Sequence, residues 1–189
     1  MRKLIVAIAA VGLIGSFSAT YAMSVGAGGG YIFGMPMGDF SDGFKPSMMN
    51  FGGGVCIGVM PMMSIDGGFE YHLNYKNKEL GLIEEGTYKL QMMVFGAGAR
   101  INFIPEGSFR PYAGGGFNFY MMKYKNADGE VPEGVEDVSK PGVYFGGGVG
   151  YFITEAMAIN APVKLHMIFT EEEKTMLLTF GAGIEYYFM

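Results

Sequence analysis

Histidine occurs twice, at 72 and 166, and cysteine once, at 56, so any chemistry this chain performs rests on few side chains. A hydrolytic or acyl-transfer site needs a nucleophile held beside its base. No serine stands within two residues of His72, and His166 runs directly into Met167, Ile168 and Phe169. Cys56 has no partner for an intramolecular disulfide and reads as a small buried apolar side chain. Seventeen methionines, doubled at 48–49, 62–63, 92–93 and 121–122, would suit a soft metal. The doublets straddle both faces of extended segments or sit in turns, and no Met-x-Met cluster with histidine emerges. They read as gap-filling apolar residues. The glycine runs match nucleotide-binding loops only superficially, because none opens a helix. No basic patch argues for nucleic acid, and no metal or cofactor is implied.

What the remaining polar groups share is their phase along alternating segments. The stretch RPYAGGGFNFY (110–120) sets the pattern. Ala113, Gly115, Phe117 and Phe119 fall on one face, and Tyr112, Gly114, Gly116, Asn118 and Tyr120 on the other. A period of two over this length specifies a strand. The same alternation predicts eight strands, at about 25–33, 49–60, 64–75, 87–103, 110–124, 143–153, 157–169 and 176–188. Strand 3 has the cleanest pattern, with Ile65, Gly67, Phe69, Tyr71, Leu73 and Tyr75 on its apolar face. Asp66, Glu70, His72, Arg100, Asn118, Asn160, Lys164, His166 and Glu185 all take the opposite, glycine-rich phase. Pro162 lies inside strand 7, where it predicts a bulge or weakened pairing on one side.

The elements must then be arranged so that both faces are satisfied. Glycine makes up 32 of 189 residues and aromatics 15%, while charged residues are only 16%, against roughly 25% in a soluble domain. Arg2 and Lys3, the apolar run Leu4–Gly15 and the small-x-small ending Thr20-Tyr21-Ala22 read as a secretory signal over 1–22. Cleavage near Ala22 would leave 23–189 as one domain, with no cysteine there for a lipid anchor. No later apolar segment reaches 18 residues, so helical spans are not expected. A soluble barrel would present the glycine-rich face to water, for which its composition is poor. Turned inward, glycines leave room for long side chains in a narrow lumen. The expected fold is therefore all-β: an eight-stranded antiparallel up-and-down transmembrane β-barrel, rings toward lipid.

Connections alternate in length. Those at 61–63, 104–110 and 154–156 are tight, whereas 35–48, 76–86 and 125–142 are long, and 170–175 is short for its position. Bacterial barrels put short turns in the periplasm and long loops outside. Thirteen of the eighteen carboxylates fall in the four outer loops, so the net charge of −5 belongs mainly to that rim. In regular hairpins Arg100 would lie diagonal to Asp66 and Asn160 opposite Glu185, pairings that rigidify or block a lumen. Each outward glycine of a run has a ring two residues away: Gly29 with Tyr31, Gly53 with Phe51, Gly67 with Phe69, Gly115 with Phe117 and Gly147 with Phe145. A ring leaning over a bare glycine restores strand stability, so Phe117→Ala is expected to cost more than Ile101→Ala.

RPYAGGGFNFY (110–120), GGGVGYFITEAMAINAPVKLH (146–166) and the ending FGAGIEYYFM (180–189), in that order, resemble the small outer-membrane β-barrels of the OmpX, OmpW and OmpA-barrel type. The resemblance spans the mature chain. It implies a bacterial outer-membrane location, outer-membrane lipid as the surroundings, and an assembly machinery that reads an aromatic at the end of the last strand. Here Phe188 is penultimate and Met189 follows, and no periplasmic domain is expected after strand 8. Three functions remain open. The first is a non-enzymatic structural or surface-contact barrel with acidic loops, a plugged lumen and an extracellular partner that the residues leave unnamed. The second is a narrow conduit for small or apolar solutes, as OmpW resemblance implies. The third is a lipid A-modifying enzyme, for which the His-x-Ser arrangement of the deacylase type is absent.

Overall fold

A computed structural model of the protein describes residues 24–79, 84–126, 128–132, 137–170 and 174–188. The leader expected at 1–22 lies outside the described residues. The chain forms β1 (Val25–Gly38), α1 (Asp39–Gly43), β2 (Ser47–Met60), β3 (Met63–Lys76), β4 (Tyr88–Asn102), β5 (Phe109–Asn126), β6 (Val138–Phe152), β7 (Met157–Phe169) and β8 (Lys174–Phe188). Each strand pairs antiparallel with its sequence neighbours, and β1 pairs with β8, which closes an eight-stranded up-and-down barrel. No described helix is long and apolar enough to cross a membrane; strands do the crossing here.

The alternation decides which side chains face out. Phe117 is 75% exposed, Phe69 44% and Phe180 42%, and the other outward rings behave alike. Along β4 and the residue after it, the outward apolar band runs from Met93 to Phe103. That is about 33 Å along a strand, or about 25 Å along the barrel axis at a tilt of about 40°, the height of a bilayer's hydrocarbon. The inward phase carries the buried core: Leu90, Met92 and Val94 of β4, Tyr120 and Met122 of β5, Ile168 of β7 and Leu177 of β8.

Several strands run beyond their expected ends. The segment 35–38, expected in a loop, continues β1 along β8 as far as Gly38↔Thr175. Pro36 is accommodated there because β1 has passed its last β2 partner at Gly34↔Ser47, so a ladder exists on one side only. At Gly38, φ is 60°, and the chain turns into α1, whose Phe40 is buried against the barrel core. β5 and β6 extend as a hairpin to Met122↔Val138, which shortens the third loop.

Two details of register depart from regular hairpins. Asn74 adopts φ 59°, and the β3–β4 register shifts between His72 and Tyr75. This bulge flips the phase, so Tyr75 points inward and is fully buried, not on the apolar outer face. Asn160 pairs with Gly183, and Glu185 with Ala158, so Asn160 and Glu185 are diagonal neighbours and not opposite ones. A two-residue offset keeps the face and changes only the height. At Pro162 the β6 ladder is continuous, while the β7–β8 ladder skips Ala161 and Pro162 without losing register. Pairing is weakened on one side, as the proline demands.

The glycine–ring pairs take a different form from the one expected. At Gly53 the ring within contact is Phe69, and at Gly115 it is Phe145, each the residue directly paired on the neighbouring strand. No ring comes near the open side of Gly29 or Gly67. Side chains stand perpendicular to the sheet, so a cross-strand partner overlies a glycine more easily than a residue two along.

Candidate functional site

The nine polar residues of the inward phase all reach the lumen, where they form two clusters at different heights. Toward the short turns, Arg100 of β4 is the centre. Its Nη2 lies 3.2 Å from Asp66 Oδ1 and its Nη1 3.3 Å from Glu185 Oε1, and its Nε donates to Ser64 Oγ at 3.2 Å. Asp66 is diagonal to Arg100 across β3–β4, since Arg100 pairs with Ser64. Asn160 Nδ2 donates to Glu185 Oε1 at 2.6 Å, Tyr187 Oη donates to Glu185 Oε2 at 2.7 Å, and Tyr112 Oη donates to Asn160 Oδ1 at 2.7 Å. One guanidinium thus ties β3, β4 and β8 together through the barrel interior, with the Tyr112 ring beneath it. Cys56 is buried on the same phase.

Toward the long loops, Glu70 of β3 is the centre. Lys164 Nζ donates to Glu70 Oε1 at 2.7 Å across the lumen from β7. His72 Nε2 lies 3.1 Å from Glu70 Oε2, and its Nδ1 lies 2.9 Å from the Tyr75 hydroxyl. A neutral ring protonated at Nε2 satisfies both contacts. His166 meets Thr179 Oγ1 with Nε2 at 3.0 Å, and Tyr120 Oη and Asn118 Nδ2 with Nδ1 at 3.0 and 3.2 Å. Asn118 also donates to Tyr120 Oη at 3.1 Å. Among the described residues no buried side-chain nitrogen or oxygen lacks a hydrogen-bond partner.

Above this cluster the lumen turns apolar. Tyr75, Leu90, Met92, Tyr120 and Leu177 are fully buried, and Phe40 of α1 packs over them with its ring 5.7 Å from that of Tyr75. Between the clusters lies a cavity of about 210 Å³ edged by Gly54, Gly68, Gly96, Asp66 and Lys164, with room for several water molecules. The glycines there are a condition of the packing. At Gly98 a Cβ would collide with the Tyr144 hydroxyl that projects across it.

Thr179, His166 and Glu70 supply a hydroxyl, an imidazole and a carboxylate in sequence, the ingredients of a nucleophile relay. In such a relay the carboxylate and the hydroxyl occupy different ring nitrogens, so that one orients the ring and the other loses its proton. Here both face Nε2, at 3.0 Å for Thr179 and 3.8 Å for Glu70, while Nδ1 faces Tyr120. All three side chains are buried. Among the described residues no group of three histidine, cysteine or carboxylate side chains could hold a metal ion.

The tyrosines, Ser47 and Asn50 are what sequence reasoning missed. Asn50 is fully buried and accepts the Leu73 N–H at 3.0 Å, while Ser47 donates to the Leu73 carbonyl. These two side chains satisfy the backbone that the Asn74 bulge releases. The only sequence signal was Asn74 itself, a residue type that tolerates positive φ.

Closed pairing, an outward apolar band of bilayer height and a polar interior now stand together, and the family model for the outer membrane protein beta-barrel domain matches residues 4–188. The chain belongs to that family. Barrels of this family sit in the bacterial outer membrane, and so does this one. Among solved structures, this outer-membrane barrel is similar to OprG from Pseudomonas aeruginosa, with 13% identity, coverage of 88% of this chain and 96% of that one, and a TM-score of 0.66. It is similar to Ail, the attachment invasion locus protein of Yersinia pestis, with 16% identity, coverage of 89% and 100%, and a TM-score of 0.59. Neisserial surface protein A gives 15% identity, coverage of 88% and 97%, and a TM-score of 0.58. None of the curated protein sequences matches this chain.

Proposed function

We propose that this outer-membrane barrel is a closed, non-enzymatic scaffold that holds acidic loops at the cell surface for contact with partners. The observation that carries this reading is the buried layer of Tyr75, Leu90, Met92, Tyr120 and Leu177, stacked on the Glu70–Lys164 pair. An axial path would have to displace both an apolar layer and a buried ion pair. The loops are tied down at their base, with Lys45 paired to Glu85 at 2.5 Å and Lys123 to Asp137 at 2.6 Å. In this reading the long loops face outward, lipid surrounds the rings, and the assembly machinery reads β8 near Phe188. A leader directs export and is removed near Ala22. The contact partner would be a basic or amphipathic surface that complements the acidic rim.

A second reading, a narrow conduit for small solutes, is favoured by the glycine-edged cavity and by the pairing gap at Ala161–Pro162. Conductance of the full-length barrel in planar bilayers separates the two. The closed scaffold gives a silent membrane at high protein load, and the double variant Tyr120→Ala with Leu177→Ala gives discrete openings. Steady conductance of the unaltered protein would overturn the closed reading and favour the conduit.

A further inference from the structure

Six of the seventeen methionines gather on the outer face of four adjacent strands, β7, β8, β1 and β2, at their loop-side ends. Met167 pairs directly with Met176, and Met176 directly with Met37. Met35 stands two residues before Met37 on the same face, and Pro36 between them is buried on the opposite one. The ring of Pro36 fixes the backbone there, so both neighbours are held outward. Between β1 and β2 the register shifts from Ile32↔Asn50 to Gly34↔Ser47, so Phe33 faces two residues, Met48 and Met49. Both of these are turned out, at 66% and 62% exposure.

Gap filling is the ordinary use of methionine within a core, and it accounts for Met92 and Met122, which are buried in the lumen. It does not account for a cluster on the outside, where Phe69, Ile101, Phe145 and Ile184 serve the same lipid elsewhere. What the cluster adds is sulfur. Thioethers are soft donors that select ions such as Cu(I) over hard ones. Being neutral, they suit a monovalent ion, since each further charge near hydrocarbon is costly to desolvate.

The spacing suits a single ion. Met37 and Met176, directly paired, hold their Cβ atoms about 5 Å apart, and Met35 lies about 7 Å from Met37 and about 7–8 Å from Met176 on the diagonal. Each sulfur stands two bonds beyond its Cβ on a flexible, unbranched chain. The three sulfurs can therefore turn toward the centre of that triangle, where metal–sulfur bonds of about 2.3 Å close. Met167 adds a fourth sulfur beside Met176. Spacing along the chain hid this set, because its members come from three strands and meet through register.

We infer that Met35, Met37 and Met176, with Met167 alongside, form a thioether site for a soft monovalent metal ion on the lipid-facing edge of the barrel. This donor set is separate from the imidazoles, thiol and carboxylates of the chain, which form no metal cluster among the described residues. The site stands whether or not the lumen conducts.

Ag(I) is the probe, because it shares the softness and charge of Cu(I) and needs no reductant. The full-length barrel carries Cys56→Ala, which removes its one thiol, and is held in nitrate buffer with a sulfur-free detergent. Native mass spectrometry is expected to show one Ag(I) retained per barrel and not displaced by excess Zn(II). Leucine matches methionine closely in volume, so Met35→Leu, Met37→Leu, Met176→Leu keeps the apolar surface and is expected to lose the ion. Met93→Leu, Met121→Leu, Met157→Leu removes as many thioethers from other strand positions and is expected to retain it. A heat-modifiability gel confirms that each variant is folded, and Met176→Leu alone, with weakened retention, serves if the first triple variant does not fold. Absence of Ag(I) from the parent barrel, its displacement by Zn(II), undiminished retention in the first variant, or an equal loss in the second would each overturn the site.

Discussion

Glu70 is met by one side chain distant in sequence and by one close neighbour. Lys164 lies 94 residues away, and His72 two residues away, on the same carboxylate. Removing one partner of a buried pair leaves the other desolvated and unpaired, so Glu70→Ala is expected to lower unfolding stability by about 3 kcal/mol. In a double-mutant cycle, Glu70→Gln combined with Lys164→Met is expected to cost less than the two single changes together, measured by urea unfolding in micelles. Additive costs would mean that the contact contributes nothing specific. The phase of each strand told which polar residues face inward, and all nine do. It brought together residues of adjacent strands, Arg100 with Asp66 and Asn160 with Glu185, but not those that meet across the lumen, such as Lys164 and Glu70, because such contacts depend on the tilt and stagger of the closed barrel. The tyrosines were underrated for the same reason: Tyr112 and Tyr187 look like lining and act as donors, and Tyr120 accepts from Asn118 and contacts His166.

At the level of the strand, one bulge separates what periodicity could and could not give. Alternation across 64–73 is regular, and the structure follows it. Past Asn74 the phase reverses, and Tyr75 enters the core where it reaches His72. A β-branched residue at this φ of 59° is strained, so Asn74→Val is expected to cost about 1–2 kcal/mol while Asn74→Gly costs little, read from urea midpoints. Equal effects would mean that the bulge is incidental. The outer rings give a second strand-level expectation. Phe145 covers Gly115 from the adjacent strand, whereas Phe117 is the most exposed of the rings and covers none. Phe145→Ala is accordingly expected to lower thermal stability more than Phe117→Ala, by about 0.5–1 kcal/mol. This replaces the expectation drawn from spacing along one strand, which had no means of seeing the cross-strand register. Pro162 was legible because its defect is local: a missing donor weakens one ladder wherever the strand is placed.

For the molecule as a whole, strand number, antiparallel order and location followed from composition and alternation, since a chain so poor in charge leaves few places for its rings. The apolar layer beneath α1 did not. Phe40 lies in a segment rich in glycine, proline and aspartate that reads as a loop, and only closure of the barrel brings it over Tyr75. The buried apolar layer and the paired charges both depend on a single orientation, with rings outward and polar groups inward. The chain contains no tryptophan, so an introduced one reports on its own position. Phe117→Trp and Tyr120→Trp, three residues apart on β5, can be compared in vesicles whose acyl chains carry bromine. The orientation described here predicts strong quenching at 117 and little at 120; strong quenching at 120 with protection at 117 would contradict it.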